Sequence, residues 1–158
     1  MSDLPGPSLG GLRVLVVEDE MLIAGMIADT LRDAGCEIVG PALSLERGKI
    51  LASGEDMDGA ILDINLAGNA CFPIAEILTQ REVPIAFLTG YGEAALPDTY
   101  RQLPCLWKPF QLHDLLTLAR RHFTKVTHYS REVPHMASQT MDVPLSGGTT
   151  SKTADQDI

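Results

Sequence analysis

The hexapeptide AILDIN, from Ala60 to Asn65, decides how the rest of the chain is interpreted. It is a short apolar run, too brief for a helix, and Gly59 and Gly68 flank it. A run of this kind predicts a fully buried strand. Asp63 then lies at the carboxyl end of the strand, where ligands bind in open parallel α/β sheets. The structural alternative for a single acid at this position is a capping or turn aspartate.

Three further strand-like runs also end on polar side chains. Each run and the polar residues that follow it are Leu12–Val17 with Glu18 and Asp19, Ile85–Leu88 with Thr89, and Cys105–Trp107 with Lys108. The carboxyl ends of parallel strands share one edge of a sheet, so these groups are expected to meet there. Four strand ends of this kind favour a functional site over four unrelated turns.

Between the predicted strands, apolar residues recur at the spacing typical of amphipathic helices. The predicted helices follow Glu20, begin at the caps Ser44 and Asn69, and run from Phe110 to about Phe123. A second strand is expected at Cys36–Val39, and an irregular fourth helix between Gly92 and Pro104. Apolar residues expected on the buried helix faces include Leu22, Ile23, Met26, Ile27, Leu31, Leu45, Ile50, Leu51, Ile74, Ile77, Leu78, Leu112, Leu115, Leu116 and Ala119.

Alternating strands and helices predict an α/β fold. Right-handed crossovers lead to a doubly wound, flavodoxin-like parallel sheet of five strands in the order 2-1-3-4-5, with helices on both faces. This order places strands one and three side by side. Glu18, Asp19 and Asp63 are therefore expected to converge at the point where the strand order reverses.

Composition limits the classes of protein to consider. The 158 residues are 45% hydrophobic, and the net charge is -9. These values predict one domain over residues 11–124, a flexible N-terminus at 1–10 and a disordered tail at 125–158, where little apolar surface remains. The acidic balance argues against a nucleic-acid partner. Without a membrane-spanning run or a signal peptide, we expect a cytoplasmic protein with no membrane contact.

Three converging carboxylates repel one another, by about 4 kcal/mol for a pair about 4 Å apart at an effective dielectric near 20. Such a cluster takes up protons or binds a hard cation, and Mg²⁺ prefers oxygen ligands and a phosphate oxygen. Asp63 can then act as a nucleophile toward phosphorus. Lys108 supplies positive charge and Thr89 a hydroxyl donor for the transferred group.

With these residues in place, the chain resembles the receiver domain of two-component response regulators over about residues 12–123. The segments that carry the resemblance are Val16–Glu20, Leu62–Asp63, Leu88–Thr89 and Lys108–Phe110. The resemblance implies phosphotransfer from a histidine kinase to Asp63. It also implies Mg²⁺ held by Glu18, Asp19, Asp63 and the Asn65 carbonyl, with Thr89 and Lys108 as the phosphate-sensing pair.

The segment Pro84–Tyr91 further resembles the receiver subgroup named for its FATGY-type motif, from which Ile85 and Leu88 depart. That subgroup implies single-domain regulators that often work with kinases of the HWE type. A second departure concerns the aromatic switch position three residues before the lysine, which is Cys105 here. Tyr91 and Trp107 are the candidate substitutes. The loop after Asp63 also lacks the proline common in the family.

We therefore expect a stand-alone response regulator that is not an enzyme and signals through a downstream protein partner. A phosphate sink or carrier in a phosphorelay shares the same chemistry and stays open. A Mg²⁺-dependent phosphohydrolase is the enzymatic alternative, although Asn65 stands where a second acid would serve as general acid and base. The oligomeric state is open, a dimer being one option.

Overall fold

Five of the strands alternate with helices along the chain. The computed structural model describes residues 7–90 and 96–123. Its strands are β1 (Arg13–Val17), β2 (Glu37–Ala42), β3 (Gly59–Asp63), β4 (Asn65–Leu66), β5 (Asn69–Ala70), β6 (Ile85–Thr89) and β7 (Cys105–Trp107). Its α-helices are α1 (Met21–Asp33), α2 (Leu45–Gly54), α3 (Phe72–Gln80) and α4 (Leu112–His122), and a 3-10 helix covers Asp98–Tyr100.

Five of these strands form one parallel sheet in the order β2-β1-β3-β6-β7. Counting only these five, the order is 2-1-3-4-5, and the predicted doubly wound fold is confirmed. Strand β3 lies at the centre, and all five of its residues are buried. Burial on both faces of β3 explains why its sequence is a continuous apolar run rather than an alternating one.

Two hydrophobic cores cover the two faces of the sheet. Because successive strand residues point to opposite faces, Leu15 and Val17 belong to one core and Val14 and Val16 to the other. Helices α2 and α3 contribute to the first core and helices α1 and α4 to the second. The sheet is therefore shielded on both sides, and its polar strand ends lie at the edges of the layers.

The boundaries of β2 and α3 differ from the sequence prediction. Strand β2 continues through Gly40 and Pro41 to Ala42 rather than ending at Val39. This strand lies at the sheet edge, where proline is tolerated. Helix α3 begins at Phe72 rather than after a cap at Asn69, because Asn69 is paired in the short antiparallel hairpin of β4 and β5.

The predicted cap at Ser44 is confirmed, because its hydroxyl accepts a hydrogen bond from the Arg47 N–H (3.2 Å). Four helix residues that were predicted to be buried are exposed instead. Leu22 is 88% exposed, and Met26, Ile50 and Leu112 are also exposed. On α1 the buried face is built from Ala24, Ile27, Ala28 and Leu31, and Leu22 lies about 200° around the helix from Ala24. The apolar residues of α1 are too many for one face.

Some predictions fall outside the described residues. They include Tyr91, most of the expected N-terminal segment, and the expected tail beyond Phe123. Leu9, which is described, is buried in the core beside α1. The domain boundaries stay a prediction. Among the helices that the structure describes, none has the length and hydrophobicity to cross a bilayer.

Candidate functional site

The predicted site residues converge at the carboxyl edge of the sheet. Glu18 and Asp19 follow β1, Asp63 ends β3, Thr89 ends β6, and Lys108 follows β7. Strands β1 and β3 are direct neighbours, as are β3 and β6 and then β6 and β7. The backbone N–H of Lys108 donates to the Thr89 carbonyl (2.8 Å), which continues the sheet pairing into the site.

The Lys108 ammonium bridges two buried carboxylates. Its Nζ lies 2.7 Å from Glu18 Oε2 and 2.8 Å from Asp63 Oδ2. The remaining oxygens accept backbone hydrogen bonds, from Glu20 N to Glu18 Oε1 (3.1 Å) and from Asn65 N to Asp63 Oδ1 (3.2 Å). Two acids are therefore held in fixed orientations around the Lys108 ammonium.

Burial and the contacts with Lys108 shift the pKa values of this group in opposite directions. It raises the pKa of Glu18 to about 7, even though the hydrogen bond from Lys108 acts in the opposite direction, and the neighbouring Asp63 adds to the increase. Burial would lower the pKa of Lys108, but its hydrogen bonds to Asp63 and Glu18 outweigh that effect and raise it. Near neutral pH, Lys108 is therefore charged while Glu18 is close to titration.

Asp19 is oriented by a different contact. Its Oδ2 accepts a hydrogen bond from the backbone N–H of Ala67, at 3.1 Å, across 48 residues of sequence. Ala67 lies in the tight turn of the β4–β5 hairpin, which directly follows Asp63. The hairpin therefore contacts Asp19 through Ala67 and Asp63 through the Asn65 N–H.

A cavity of about 400 Å³ opens over these groups and is large enough for a hydrated cation and a phosphoryl group. Among the described residues it is lined by Asp19, Glu20, Asp63, Asn65, Ala67, Thr89, Gly90 and Lys108. Glu18 is fully buried and does not line the cavity. The sequence interpretation did not single out Glu20, Ala67 or Gly90, although each is within two residues of a predicted site residue or in the loop after Asp63.

The donor set suits a divalent cation. One oxygen each from Glu18, Asp19 and Asp63 lies within 4.8 Å of the others. Mg²⁺ prefers such oxygen ligands and commonly uses only one or two carboxylates besides water and phosphate. Within the described part of the chain, neither a histidine nor a cysteine belongs to this cluster, which disfavours softer metals such as copper.

The candidate switch residues that the structure describes are Cys105 and Trp107. Cys105 is half-buried on β7 and packs against the core that includes Phe87. Trp107, on the same strand, is 51% exposed. Tyr91 lies outside the described residues. Neither described candidate lines the cavity.

The sequence is similar to those of curated regulatory proteins. The transcriptional regulatory protein PdtaR of Mycobacterium tuberculosis is 33% identical over 134 residues, which cover 80% of this chain and 65% of PdtaR. The chain thus spans less than two thirds of the length of this relative. No protein-family model matches the chain.

Solved structures show the same relationship. The response regulator PhyR from Brucella abortus superposes with a TM-score of 0.63 at 29% identity, covering 72% of this chain and 48% of PhyR. The receiver (REC) domain of PhyR from Erythrobacter litoralis gives a TM-score of 0.61 at 31% identity, covering 71% of this chain and 90% of that domain. The sheet order, the polar strand ends and these likenesses agree, and the chain belongs to the receiver-domain response regulators of two-component signalling.

Proposed function

We propose that Asp63 accepts a phosphoryl group from a histidine kinase in a Mg²⁺-dependent reaction. The observation that carries the proposal is the environment of the Asp63 carboxylate. It lines a polar cavity, and the Lys108 ammonium lies 2.8 Å from one of its oxygens. A nucleophile with a fixed cation beside it, open to a phosphate-sized space, is what phosphoryl transfer requires.

In the proposed step, a carboxylate oxygen of Asp63 forms a bond to phosphorus as the bond to the donor imidazole nitrogen breaks. The electron pair of that bond returns to the imidazole, which takes up a proton from solvent. Lys108 lines the cavity with Asp63 and balances the negative charge that spreads over the phosphoryl oxygens. Thr89 lines the same cavity and supplies a hydroxyl donor.

Asp19, Asp63, Glu18 and the Asn65 carbonyl are the proposed holders of Mg²⁺. When bound, Mg²⁺ supplies a positive charge that lowers the electrostatic cost of bringing a phosphoryl group to three acids. Support comes from the three carboxylate oxygens within 4.8 Å of one another. The buried Glu18 also holds Lys108 toward Asp63 through its 2.7 Å ion pair.

The signalling role follows from the same residues. A phosphoryl group adds a charge of about -1.5 to -2, which attracts Lys108 and Thr89 and changes their contacts. Thr89 ends β6 and Lys108 follows the neighbouring β7, so both strand ends respond together. A downstream protein partner is proposed to read that change. A histidine kinase of the HWE type stays the prediction of the FATGY-type resemblance.

The phosphohydrolase alternative lacks a general acid at the expected position. Asn65 lies two residues after Asp63, and its Oδ1 already accepts the backbone N–H of Gly68 at 2.8 Å. An amide cannot donate a proton as a carboxylic acid does, and this one is engaged in the turn. Signalling phosphotransfer is the function that the site supports best.

Intact-protein mass spectrometry tests the proposal. Wild-type protein and the Asp63→Asn variant are incubated with Mg²⁺ and acetyl phosphate. We expect one phosphoryl adduct in the wild type, none in the variant, and none in the wild type after the cation is chelated. Equal labelling of Asp63→Asn would refute the assignment of Asp63.

A further inference from the structure

The loop after Asp63 is a closed β-hairpin. Residues 65–70 pair as Asn65 with Ala70 and Leu66 with Asn69, leaving a two-residue turn at Ala67 and Gly68. Both turn residues have positive φ, 53° and 88°, as in the type I′ turns that join tightly paired strands. The hairpin is defined here as residues 65–70.

Contacts at both ends hold the hairpin in place. Leu66 is buried in the core, and the Cys71 N–H donates to the Ile64 carbonyl at 2.9 Å, which closes the base. At the turn, the Asn65 side chain accepts the Gly68 N–H at 2.8 Å. These contacts fix the position of the hairpin, and with it the position of the Ala67 N–H that donates to Asp19.

We infer that the hairpin is a positioning element that orients Asp19 for Mg²⁺ through the Ala67 N–H. This inference rests on the proposed function. The hydrogen bond uses one carboxylate oxygen, Oδ2, and leaves Oδ1 for the cation. Asp19 is only partly buried, and within residues 7–90 and 96–123 its carboxylate accepts no other hydrogen bond, so this contact limits its rotation.

Hydrogen bonds to metal ligands from neighbouring groups commonly change metal affinity by about 10- to 100-fold. Here the donor is a backbone N–H that a side-chain substitution leaves in place, so the test must alter the backbone. Proline at position 67 removes the N–H, and its φ near -65° is incompatible with the turn. Alanine at position 68 introduces no close contact but strains a residue with φ of 88°.

Calorimetric titration with Mg²⁺ alone provides the primary measurement. We expect Ala67→Pro to bind Mg²⁺ about 10-fold more weakly than the wild type. Gly68→Ala should change affinity in the same direction by a smaller factor. Gly25→Ala, which adds a methyl group in open space on α1, is the control and should bind Mg²⁺ as the wild type does.

Phosphorylation by acetyl phosphate separates positioning from a general structural effect. In Ala67→Pro, the Mg²⁺ concentration for half-maximal rate should rise about 10-fold, while the rate at saturating Mg²⁺ stays within about twofold of the wild type. Loss of the saturated rate with unchanged Mg²⁺ affinity would indicate a structural role and overturn the inference.

The outcomes separate this inference from the proposed function. If the wild type binds Mg²⁺ and Ala67→Pro binds it equally well, the inference fails while the proposed function stands. If Ala67→Pro does not fold, the same criterion applies to Gly68→Ala. If the wild type binds no Mg²⁺, the proposed function itself fails.

Discussion

Replacing Lys108 by methionine removes the ammonium that contacts both Glu18 and Asp63. Methionine retains much of the aliphatic part of the lysine side chain, so the substitution mainly measures the effect of losing the positive charge. The two carboxylates then remain in a site where Glu18 is fully buried and the Asp63 side chain is 7% exposed. We expect this variant to be destabilised in a pH-dependent manner.

The magnitude follows from the geometry. Carboxylate oxygens no more than 4.8 Å apart repel by at least about 3.5 kcal/mol at an effective dielectric near 20. Removing one partner from a buried ion pair typically costs about 3–5 kcal/mol. Proton uptake by Glu18 limits this cost, so we predict a loss of about 3 kcal/mol in the free energy of unfolding at pH 8.

The sign of the pH dependence comes from the raised pKa of Glu18, about 7 against an ordinary 4.5. The folded state binds this proton more tightly than the unfolded chain does. The proton on Glu18 therefore stabilises the folded state fully below pH 4.5, and this stabilisation is lost as the pH rises through 7. Without Lys108 the pKa of Glu18 rises further. The penalty of Lys108→Met should therefore be smaller at pH 6, by roughly half.

Urea unfolding of wild type and variant at pH 6 and pH 8, without Mg²⁺, measures both quantities. Lys49→Met is the matched control, because Lys49 is more exposed and its Nζ lies 3.8 Å from Glu46 on the same helix. This control should change stability by less than about 0.5 kcal/mol. Equal effects of the two substitutions, with no dependence on pH, would refute the electrostatic account of the site.

Two other predictions concern the cation and the core. Mg²⁺ affinity should rise about tenfold between pH 6 and pH 8, because a proton with a pKa of about 7 must leave Glu18 before the cation binds. Calorimetric titration at both pH values measures this, and an affinity that does not change with pH would contradict the prediction. Gly59→Ala should lower stability by about 1–3 kcal/mol, because its Cβ would lie 2.5 Å from the Phe123 ring. Urea unfolding beside Gly54→Ala, where the added carbon meets nothing, provides the comparison.

Much of the fold could be predicted because its signals are local. The run Ala60–Leu62 is apolar at every position, and the structure buries all of it in the central strand. Glu18, Asp63 and Lys108 could be assembled from sequence because parallel strands bring their carboxyl ends to one edge. The distances and the raised pKa of Glu18 required the structure, since they depend on burial by residues distant in sequence.

The hairpin after Asp63 was not predicted. Its turn is Ala67–Gly68, which lacks the Asn-Gly or Asp-Gly pair that marks most type I′ turns. The contact of Ala67 with Asp19 spans 48 positions and has no local sequence signal. On α1, Leu22 and Ile27 are equally apolar, and only the packing of the helix decides that Leu22 is exposed.

The most direct test of the central claim locates the phosphoryl group. Wild-type protein is phosphorylated with acetyl phosphate and Mg²⁺ and reduced with borohydride, which converts a phosphorylated aspartate to homoserine. The peptides are then sequenced by tandem mass spectrometry. We predict homoserine at position 63 and at no other aspartate. Homoserine at Asp19, or its absence from position 63 in a protein that carries the phosphoryl mass, would contradict the assignment.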